Sequence, residues 1–461
     1  MHFDLLGDEN MKKEVYLFGA GYQGKLAFEK LKYTHEIAGF VDNNKDKQGR
    51  EYMGVPCFSF NELKNRLKNS SEVIITTLKH KELRDQLQSI GVKNVRIFLD
   101  GHIYTLSNEE GYRRCCRCVM DNESDPTILF NEMGECNYCT KAYDDINKVY
   151  FPNEKGKKLL ENLISEVKKA GKDKKYDCVM GLSGGLDSSY LAYLGYEWGL
   201  RVLAIHIDDG YDTDISKHNL HYLIKKTGFD YEVITPDSSQ YNDLTLAYMK
   251  AGVPNIAIPQ DNILFAFLYR RMKELGLEYF LSGGNFALES ILQKGNTYNA
   301  FDLRNILDIH RRFGTKPIDK LELLSFEQKE YDKSVLNIKS PRPLNYIDYN
   351  RKKAFEELNE FCGFQYYGRK HLENKLTAFA QLYWFPKKFG VDKRTSHLSS
   401  MIVSGQMTRE LALKELEAPM YNVDTMDEYI NCIKEHMHID EKQFIDIVDA
   451  PTHSHEEYDH S

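Results

Sequence analysis

The segment Ser183-Gly184-Gly185-Leu186-Asp187-Ser188-Ser189 restricts this chain more than any other. It lies between an apolar run, YDCVMGL, and a helix-forming stretch, YLAYLGYEW. A strand that passes through two glycines directly into a helix aims unpaired backbone N–H groups at one point, and such a point attracts phosphate. The order S-G-G-x-D-S is not a Walker loop, which needs Lys before Ser or Thr. Its glycines let the backbone wrap a pyrophosphate. Ser183, Ser188 and Ser189 add hydroxyls, and Asp187 is placed to help hold a Mg2+ that neutralises the charge.

Strand-like runs and amphipathic stretches alternate on both sides of this loop. RVLAIHI, YEVITP and LEYFLSG follow it, so the region reads as a parallel sheet with crossover helices. RVLAIHI ends at Asp208-Asp209-Gly210 and LEYFLSG at Ser282-Gly283-Gly284-Asn285. Asp209, Ser282, Gly283, Gly284 and Asn285 are therefore expected at the same carboxyl edge as the loop, where a nucleotide binds. From about residue 350 the chain turns helical and aromatic, and Tyr383, Trp384 and their neighbours are expected as core.

A second alternating region precedes it: EVYLFGAG, a helix near Gln23–Leu31, EIAGFVDN, EVIITT and VRIFL. Gly19-Ala20-Gly21-Tyr22-Gln23-Gly24 follows a strand and opens a helix, the context of a dinucleotide-type turn. Asp42 ends the next strand about 20 residues on, where a carboxylate reaches a ribose hydroxyl. Gly19, Gly21, Gly24 and Asp42 are the candidate nucleotide or nucleotide-sugar contacts; a vestigial scaffold with a tight strand-to-helix turn is the alternative. At 461 residues roughly three domains are expected. The expected limits are a Rossmann-like unit at 1–105, a cysteine-bearing insert at 106–148, an α/β unit at 149–425, and a helical, partly disordered tail at 426–461.

Two pairs, Cys115-x-x-Cys118 and Cys136-x-x-Cys139, are separated by 17 residues. This is the spacing of a zinc ribbon, in which two knuckles close a tetrahedral thiolate site. Four protein thiolates leave no position for water, so the Zn2+ is expected to be structural. Iron–sulfur spacings differ. The other five of the nine cysteines acquire no chemistry from their positions.

The loop resembles the pyrophosphatase (PP) loop of N-type ATPases, which cleave ATP between the α and β phosphates. More widely, the blocks RCVMD, DPTILFNEMGECNYC, LSGGLDSS, IHIDDG, PQDNILFAFLY, YFLSGGNFALES, PRPLNYIDYNR, YYGRKHLEN and PKKFGVDKRTSHLSSMIVSGQMTRELAL resemble the N-acetyl sugar amidotransferase family. They run in one order from about 114 to 425, and the front unit is an addition to that family's core. The resemblance implies an ATP-dependent enzyme that converts the N-acetyl group of a bacterial surface-sugar precursor into an acetamidino group. It implies ATP with Mg2+, a structural Zn2+, and ammonia from a partner glutaminase.

Charge developing on phosphate calls for cations. Lys370, His371, Lys375, Lys387, Lys388 and Arg394 lie in the matching blocks, and Lys375 and Lys387 are the first candidates as catalytic groups beside Asp187. No cysteine stands in a glutaminase context: position 2 is His, and no G-x-C-x-G elbow occurs. A separate glutaminase subunit is therefore expected. A tRNA-thiolating enzyme is the rival reading. With 61 Lys and Arg against 69 Asp and Glu, a net charge of −8 disfavours gripping nucleic acid through bulk charge. A nucleotide-sensing scaffold is the non-enzymatic alternative. The absence of a long apolar run or a signal-like start leads to the expectation of a cytoplasmic protein without membrane insertion. The final APTHSHEEYDHS reads as unfolded.

Overall fold

The computed structural model describes residues 12–68, 70–77, 80–92, 95–105 and 111–460. The opening MHFDLLGDEN with His2, and the segment 106–110 that starts the expected insert, lie outside the described residues. The chain divides into two compact units, Met1–Cys118 with Thr127–Lys141 and Val119–Pro126 with Ala142–Ser461.

The first unit contains β1 (Lys13–Phe18), α1 (Tyr22–Leu31), β2 (His35–Val41), β3 (Glu51–Tyr52), β4 (Val55–Phe58), α2 (Phe60–Arg66), β5 (Glu72–Ile75), α3 (His80–Ser89), β6 (Arg96–Leu99) and β7 (His102–Thr105). The sheet runs β3-β4-β2-β1-β5-β6-β7, parallel except for the edge strands β3 and β7. Period-two alternation explains its two faces. Val15 and Leu17 face Ala27 and Leu31 of α1, whereas Tyr16 and Phe18 join Leu63 of α2 and Leu83 and Leu87 of α3. Leu129 belongs to this second cluster, so part of the cysteine-bearing segment shares the core of the first sheet. The main parallel strands are those expected from the sequence. The short edge strands carried too few residues to show a period.

α4 (Asn137–Val149) starts within the first unit and ends within the second, where α5 (Glu154–Ala170) follows. Then come β8 (Cys178–Gly181), α6 (Leu186–Glu197), β9 (Val202–Ile207), α7 (Asp214–Thr227), β10 (Asp230–Ile234), α8 (Ser238–Lys250), α9 (Ile258–Glu274) and β11 (Phe280–Leu281). The four strands form an all-parallel sheet in the order β10-β9-β8-β11. The rest is helical: α10 (Phe286–Glu289), α11 (Leu303–Phe313), α12 (Phe326–Ser334), α13 (Arg351–Cys362), α14 (Lys375–Phe379), α15 (Phe385–Phe389), α16 (Arg394–Val403), α17 (Arg409–Glu417), α18 (Val423–Met437) and α19 (Glu441–Asp449). A π-helical turn, Ala380–Trp384, joins α14 to α15.

The aromatic stretch is core, as expected: Phe379 and Trp384 are fully buried, and Trp384 Nε1 donates to the Val253 carbonyl at 3.1 Å. The expectation of an unfolded tail is corrected. Asn305 Nδ2 donates to the His455 carbonyl at 2.9 Å, the His455 ring stacks on Tyr298, and Tyr458 Oη donates to the Ala251 carbonyl at 2.7 Å. Burial holds the His455 imidazole down at about 3, hence neutral. The polar composition of the tail concealed these anchors because each partner is far away in the chain: Asn305 on α11, Tyr298 in the stretch before it, and Ala251 at the end of α8.

Candidate active site

β8 lies between β9 and β11, so the chain leaves its carboxyl end at the point where neighbouring connections diverge. Open parallel sheets bind ligands at such a switch point. The loop after β8 occupies it, and α6 starts at once with Gly185 as its N-cap. Gly184 has φ +76°, and a Cβ there would stand 2.5 Å from Ser216 Oγ, so glycine is required on both counts. Within the loop, the Ser183 N–H donates to Ser188 Oγ at 3.3 Å and the Gly185 N–H to Ser183 Oγ at 3.2 Å. Tyr367 Oη accepts from the Leu186 N–H at 2.7 Å, tying the start of α6 to a later loop.

Two cavities adjoin this loop. The first, about 180 Å3, is lined by Ser183, Gly185, Asp187, Ser188, Gly283 and Gly284, with Arg351, Tyr367 and Lys370 opposite. The second, about 520 Å3, falls in the range of small-molecule sites. Leu264, Phe265, Leu268 and Phe280 give it an apolar side; Asp209, Gln260, Asn374 and Thr377 give it a polar one. Ser183, Glu289, His371 and Glu373 line both cavities. A phosphate-sized space thus lies next to one large enough for a nucleoside and an acceptor group.

A buried charge cluster stands at the common wall. Lys370 Nζ lies 2.6 Å from Asp187 Oδ2 and 2.9 Å from Glu289 Oε1. Tyr349 Oη donates to Asp187 Oδ1. Burial opposes the charge on Lys370, but the two carboxylates hold its value above the ordinary one. Burial alone would raise Glu289; Lys370 leads the charges that hold it below the usual carboxylate range. His371 is pushed down to about 4 by burial and the Lys370 charge, so its imidazole is neutral. Burial raises Glu373 to about 7 although Ser183 Oγ donates to its Oε1 at 3.2 Å.

Asp209 is buried in the larger cavity, where it accepts from Gln260 Nε2 at 2.6 Å, Asn374 Nδ2 at 3.0 Å and Tyr241 Oη at 3.1 Å. Burial raises its value despite these donors. His206 donates Nδ1–H to the Leu182 carbonyl and Nε2–H to Asp212, each at 2.8 Å, and so pins β9 to the first residue of the loop.

Ser183, Gly185, Asp187, Ser188, Asp209, Ser282, Gly283 and Gly284 all line one or both cavities. Ser189 does not: it is fully buried in α6 with its hydroxyl away from either cavity. Gly184 supports the loop from behind, its carbonyl accepting from Asn219 Nδ2 at 3.2 Å. Asn285 is the N-cap of α10, accepting from the Leu288 N–H at 2.9 Å.

The choice of Lys375 and Lys387 is corrected. Lys375 pairs with Glu428 at 2.9 Å and Lys387 is exposed on α15; neither lines a cavity of the site. Lys388 donates to the carbonyls of Ile447, Val448 and Ala450, capping the C-terminus of α19. Arg394 is spent on Asp392 and the carbonyls of Leu416 and Ala418. The cation at the loop is Lys370. Its signal was the aperiodic stretch YYGRKHLEN, a loop that carries Lys, His and Glu within four residues.

In the first unit the glycine turn takes the expected form. A Cβ on Gly24 would stand 1.9 Å from the Gly19 carbonyl oxygen, so α1 approaches β1 as only glycine allows. Gly21 caps α1 and faces open space, and Gly19 has φ +121°. Asp42 accepts from the Ala20 N–H at 2.9 Å and from Lys47 Nζ at 2.9 Å, so its carboxylate braces the turn itself. Burial raises Asp42, but Lys47 and the backbone donors outweigh it and leave the value low.

The four expected cysteines converge. All four sulfurs lie within 4.8 Å of one another, with Cys118–Cys136 and Cys136–Cys139 at 3.5 Å and Cys115–Cys139 at 3.7 Å. Tetrahedral bonds of about 2.3 Å to zinc separate sulfurs by about 3.8 Å, so the set fits such a metal. The Cys118 and Cys136 N–H groups donate to Cys115 Sγ at 3.4 and 3.2 Å, as knuckle backbones do for thiolates. Cys116 is exposed and outside the cluster.

Residues 373–461 match the family model described as LPS biosynthesis protein WbpG-like, C-terminal domain. Residues 11–98 match the model described as C2185-like, N-terminal. No curated protein matches. Among solved structures, NH3-dependent NAD synthetase from Campylobacter jejuni is 17% identical, with 47% of this chain and 99% of that one covered and a TM-score of 0.24. NMN synthetase from Francisella tularensis is 16% identical over 45% and 92%, TM-score 0.24. UDP-D-quinovosamine 4-dehydrogenase from Vibrio fischeri is 21% identical over 21% and 96%, TM-score 0.19. At these TM-scores the likenesses carry nothing about activity. No helix among the described residues is long and apolar enough to cross a membrane.

Proposed function

We propose that this chain is an ATP-dependent, AMP-forming amidotransferase acting on the N-acetyl group of a surface-glycan sugar precursor. The observation that carries the reading is the pairing of a phosphate-sized cavity at the S-G-G-x-D-S loop with a larger cavity that shares four of its residues. The lipopolysaccharide family model over the C-terminal residues supports the sugar class.

An amide carbonyl is a poor electrophile, so its oxygen must become a leaving group before a nitrogen replaces it. In the proposed reaction the amide oxygen attacks the α-phosphorus of ATP, and pyrophosphate departs into the smaller cavity. Ser183 and Ser188 donate to it, and Lys370 and Arg351 offset its charge. Asp187, the carboxylate of the loop, would help hold a Mg2+ brought by the nucleotide, and that ion would offset phosphate charge. The apolar side of the larger cavity takes the adenosine, and Asp209 with Gln260 and Asn374 offers polar contacts for its ribose or the acceptor sugar. Ammonia then displaces AMP to leave C=N. A separate glutaminase supplies the ammonia, and the four cysteines hold one structural zinc. The glycine turn of the first unit binds a nucleotide or nucleotide-sugar through Gly19 and Gly21, with Gly24 packing α1 against β1 and Asp42 bracing the turn.

Base thiolation fits less well. It needs a reactive thiol near the loop, and Cys178 and Cys362 are both buried with thiols pushed up by burial. The test is mass spectrometry of N-acetylated sugars and UDP-sugars incubated with the protein, MgATP and ammonium chloride. Gain of one nitrogen and one hydrogen with loss of one oxygen, together with AMP, is the expected result. ADP in place of AMP overturns the mechanism. Turnover with glutamine and no added ammonium overturns the separate glutaminase.

A further inference from the structure

Glu373 is a buried carboxyl in the wall shared by both cavities, 8% exposed. Its Oε1 accepts from Ser183 Oγ, whereas Oε2 is buried with no hydrogen-bond partner among the described residues. Leaving a carboxylate oxygen dry and unpaired is costly, so such an atom marks a place for a donor that arrives with a substrate. The position is fixed from behind: the Glu373 carbonyl accepts from the Thr213 N–H and hydroxyl, and Asn374 N-caps α14. Gly185 has no side chain to intrude, since a Cβ there would lie 2.6 Å from Glu373 Oε1.

We propose that Glu373 Oε2 is the site that receives ammonium and takes its proton in the second half of the reaction. The inference rests on the amidotransferase reading given above. Ammonium has no lone pair and cannot attack. It gives one proton to Oε2, and the ammonia lone pair forms a C–N bond at the adenylated carbon. One N–H proton shifts to the former amide nitrogen, and the C–O bond breaks with its electrons going to AMP. The product is an amidinium ion, and Glu373 returns its proton to water. The amide proton has already left with pyrophosphate.

Geometry favours Glu373 over its neighbours. Asp187 and Glu289 are both engaged by Lys370, and Asp209 is held by three side-chain donors. A carboxyl raised to about 7 by burial matches the task of accepting a proton near neutrality and releasing it. The charged and titratable groups that face it are Asp187 from α6, Glu289 from α10, Arg351 from α13, and Tyr366, Tyr367, Lys370 and His371 from its own loop; the larger cavity adds His206, Asp209, Asp212, Asp261 and Lys393.

The experiment separates the two half-reactions in the full-length protein and its Glu373→Gln and Glu373→Asp variants. The acceptor is an N-acetylated UDP-sugar that the wild type converts, and ammonium chloride is the nitrogen donor. Acceptor-dependent exchange of labelled pyrophosphate into ATP reports adenylation; amidine formation reports the attack. Glu373→Gln should keep exchange within a few-fold of wild type while amidine formation at neutral pH falls by about 100-fold or more. Raising the pH, which frees ammonia in solution, should recover much of that loss. Glu373→Asp should retain more amination than Glu373→Gln. MgATP affinity and the thermal midpoint report folding. Equal loss of exchange and amination in folded variants would overturn the assignment, as would full amination by Glu373→Gln. A wild type that forms no amidine or AMP with any acceptor overturns the underlying reading itself.

Discussion

Lys370 Nζ lies 2.6 Å from Asp187 Oδ2, so a loop 183 residues downstream closes onto the first turn of α6 with a buried ion pair. Glu289 completes the cluster at 2.9 Å, which brings three separate segments to one cation. Pyrophosphate leaving the α-phosphorus would meet that cation at the loop.

Removing the cation strands two carboxylates. Lys370→Met should cost about 3–5 kcal/mol of stability, the usual penalty for breaking a buried pair. AMP release should drop by about 100-fold or more. Calorimetry and an AMP assay check the two effects, and wild-type AMP release from a folded variant would contradict the assignment.

Lys375 and Lys387 should be dispensable. The Glu428 partner of Lys375 is 64% exposed, and exposed pairs contribute about 0–1 kcal/mol. Alanine at either position should leave AMP release within about twofold of wild type, because neither side chain reaches the loop.

The His206–Asp212 contact makes stability depend on pH. Both imidazole nitrogens donate, which requires the protonated ring. Burial pulls its value down, but Asp212 outweighs burial and the net value is raised. A raised folded value gives stabilisation that is complete below the unfolded value of about 6.5 and is lost as pH rises through the folded value. The thermal midpoint should therefore fall as the pH rises past neutrality, and His206→Gln should flatten that slope.

The cysteine cluster should carry one zinc per chain by elemental analysis. Cys136→Ser removes a ligand whose sulfur lies 3.5 Å from two others, so metal content and the thermal stability of the first unit should fall together. Retained stoichiometric zinc in that variant would rule out this ligand set.

What was legible from residue order was what lies within one segment. The β8–loop–α6 passage, the parallel strands, the glycine turn with Asp42 and the two C-x-x-C knuckles each state their geometry locally. The cations did not, because Lys370, Lys375 and Lys387 are alike in sequence and only tertiary packing brings Lys370 against Asp187. Tyr349, Tyr367, Glu289 and Glu373 were missed for the same reason: each acts on a residue far away in the chain, Glu289 on Lys370, Tyr349 on Asp187, Tyr367 on Leu186 and Glu373 on Ser183. Asn305 and Tyr298 likewise hold a tail whose composition alone reads as unfolded.

In the proposed reaction the acceptor's amide oxygen passes to the α-phosphate. An N-acetylated UDP-sugar carrying oxygen-18 in its acetyl carbonyl, incubated with the protein, MgATP and ammonium, tests it most directly. The label should appear in AMP, one atom for each amidine formed. Unlabelled AMP, or label in orthophosphate alongside ADP, would contradict it.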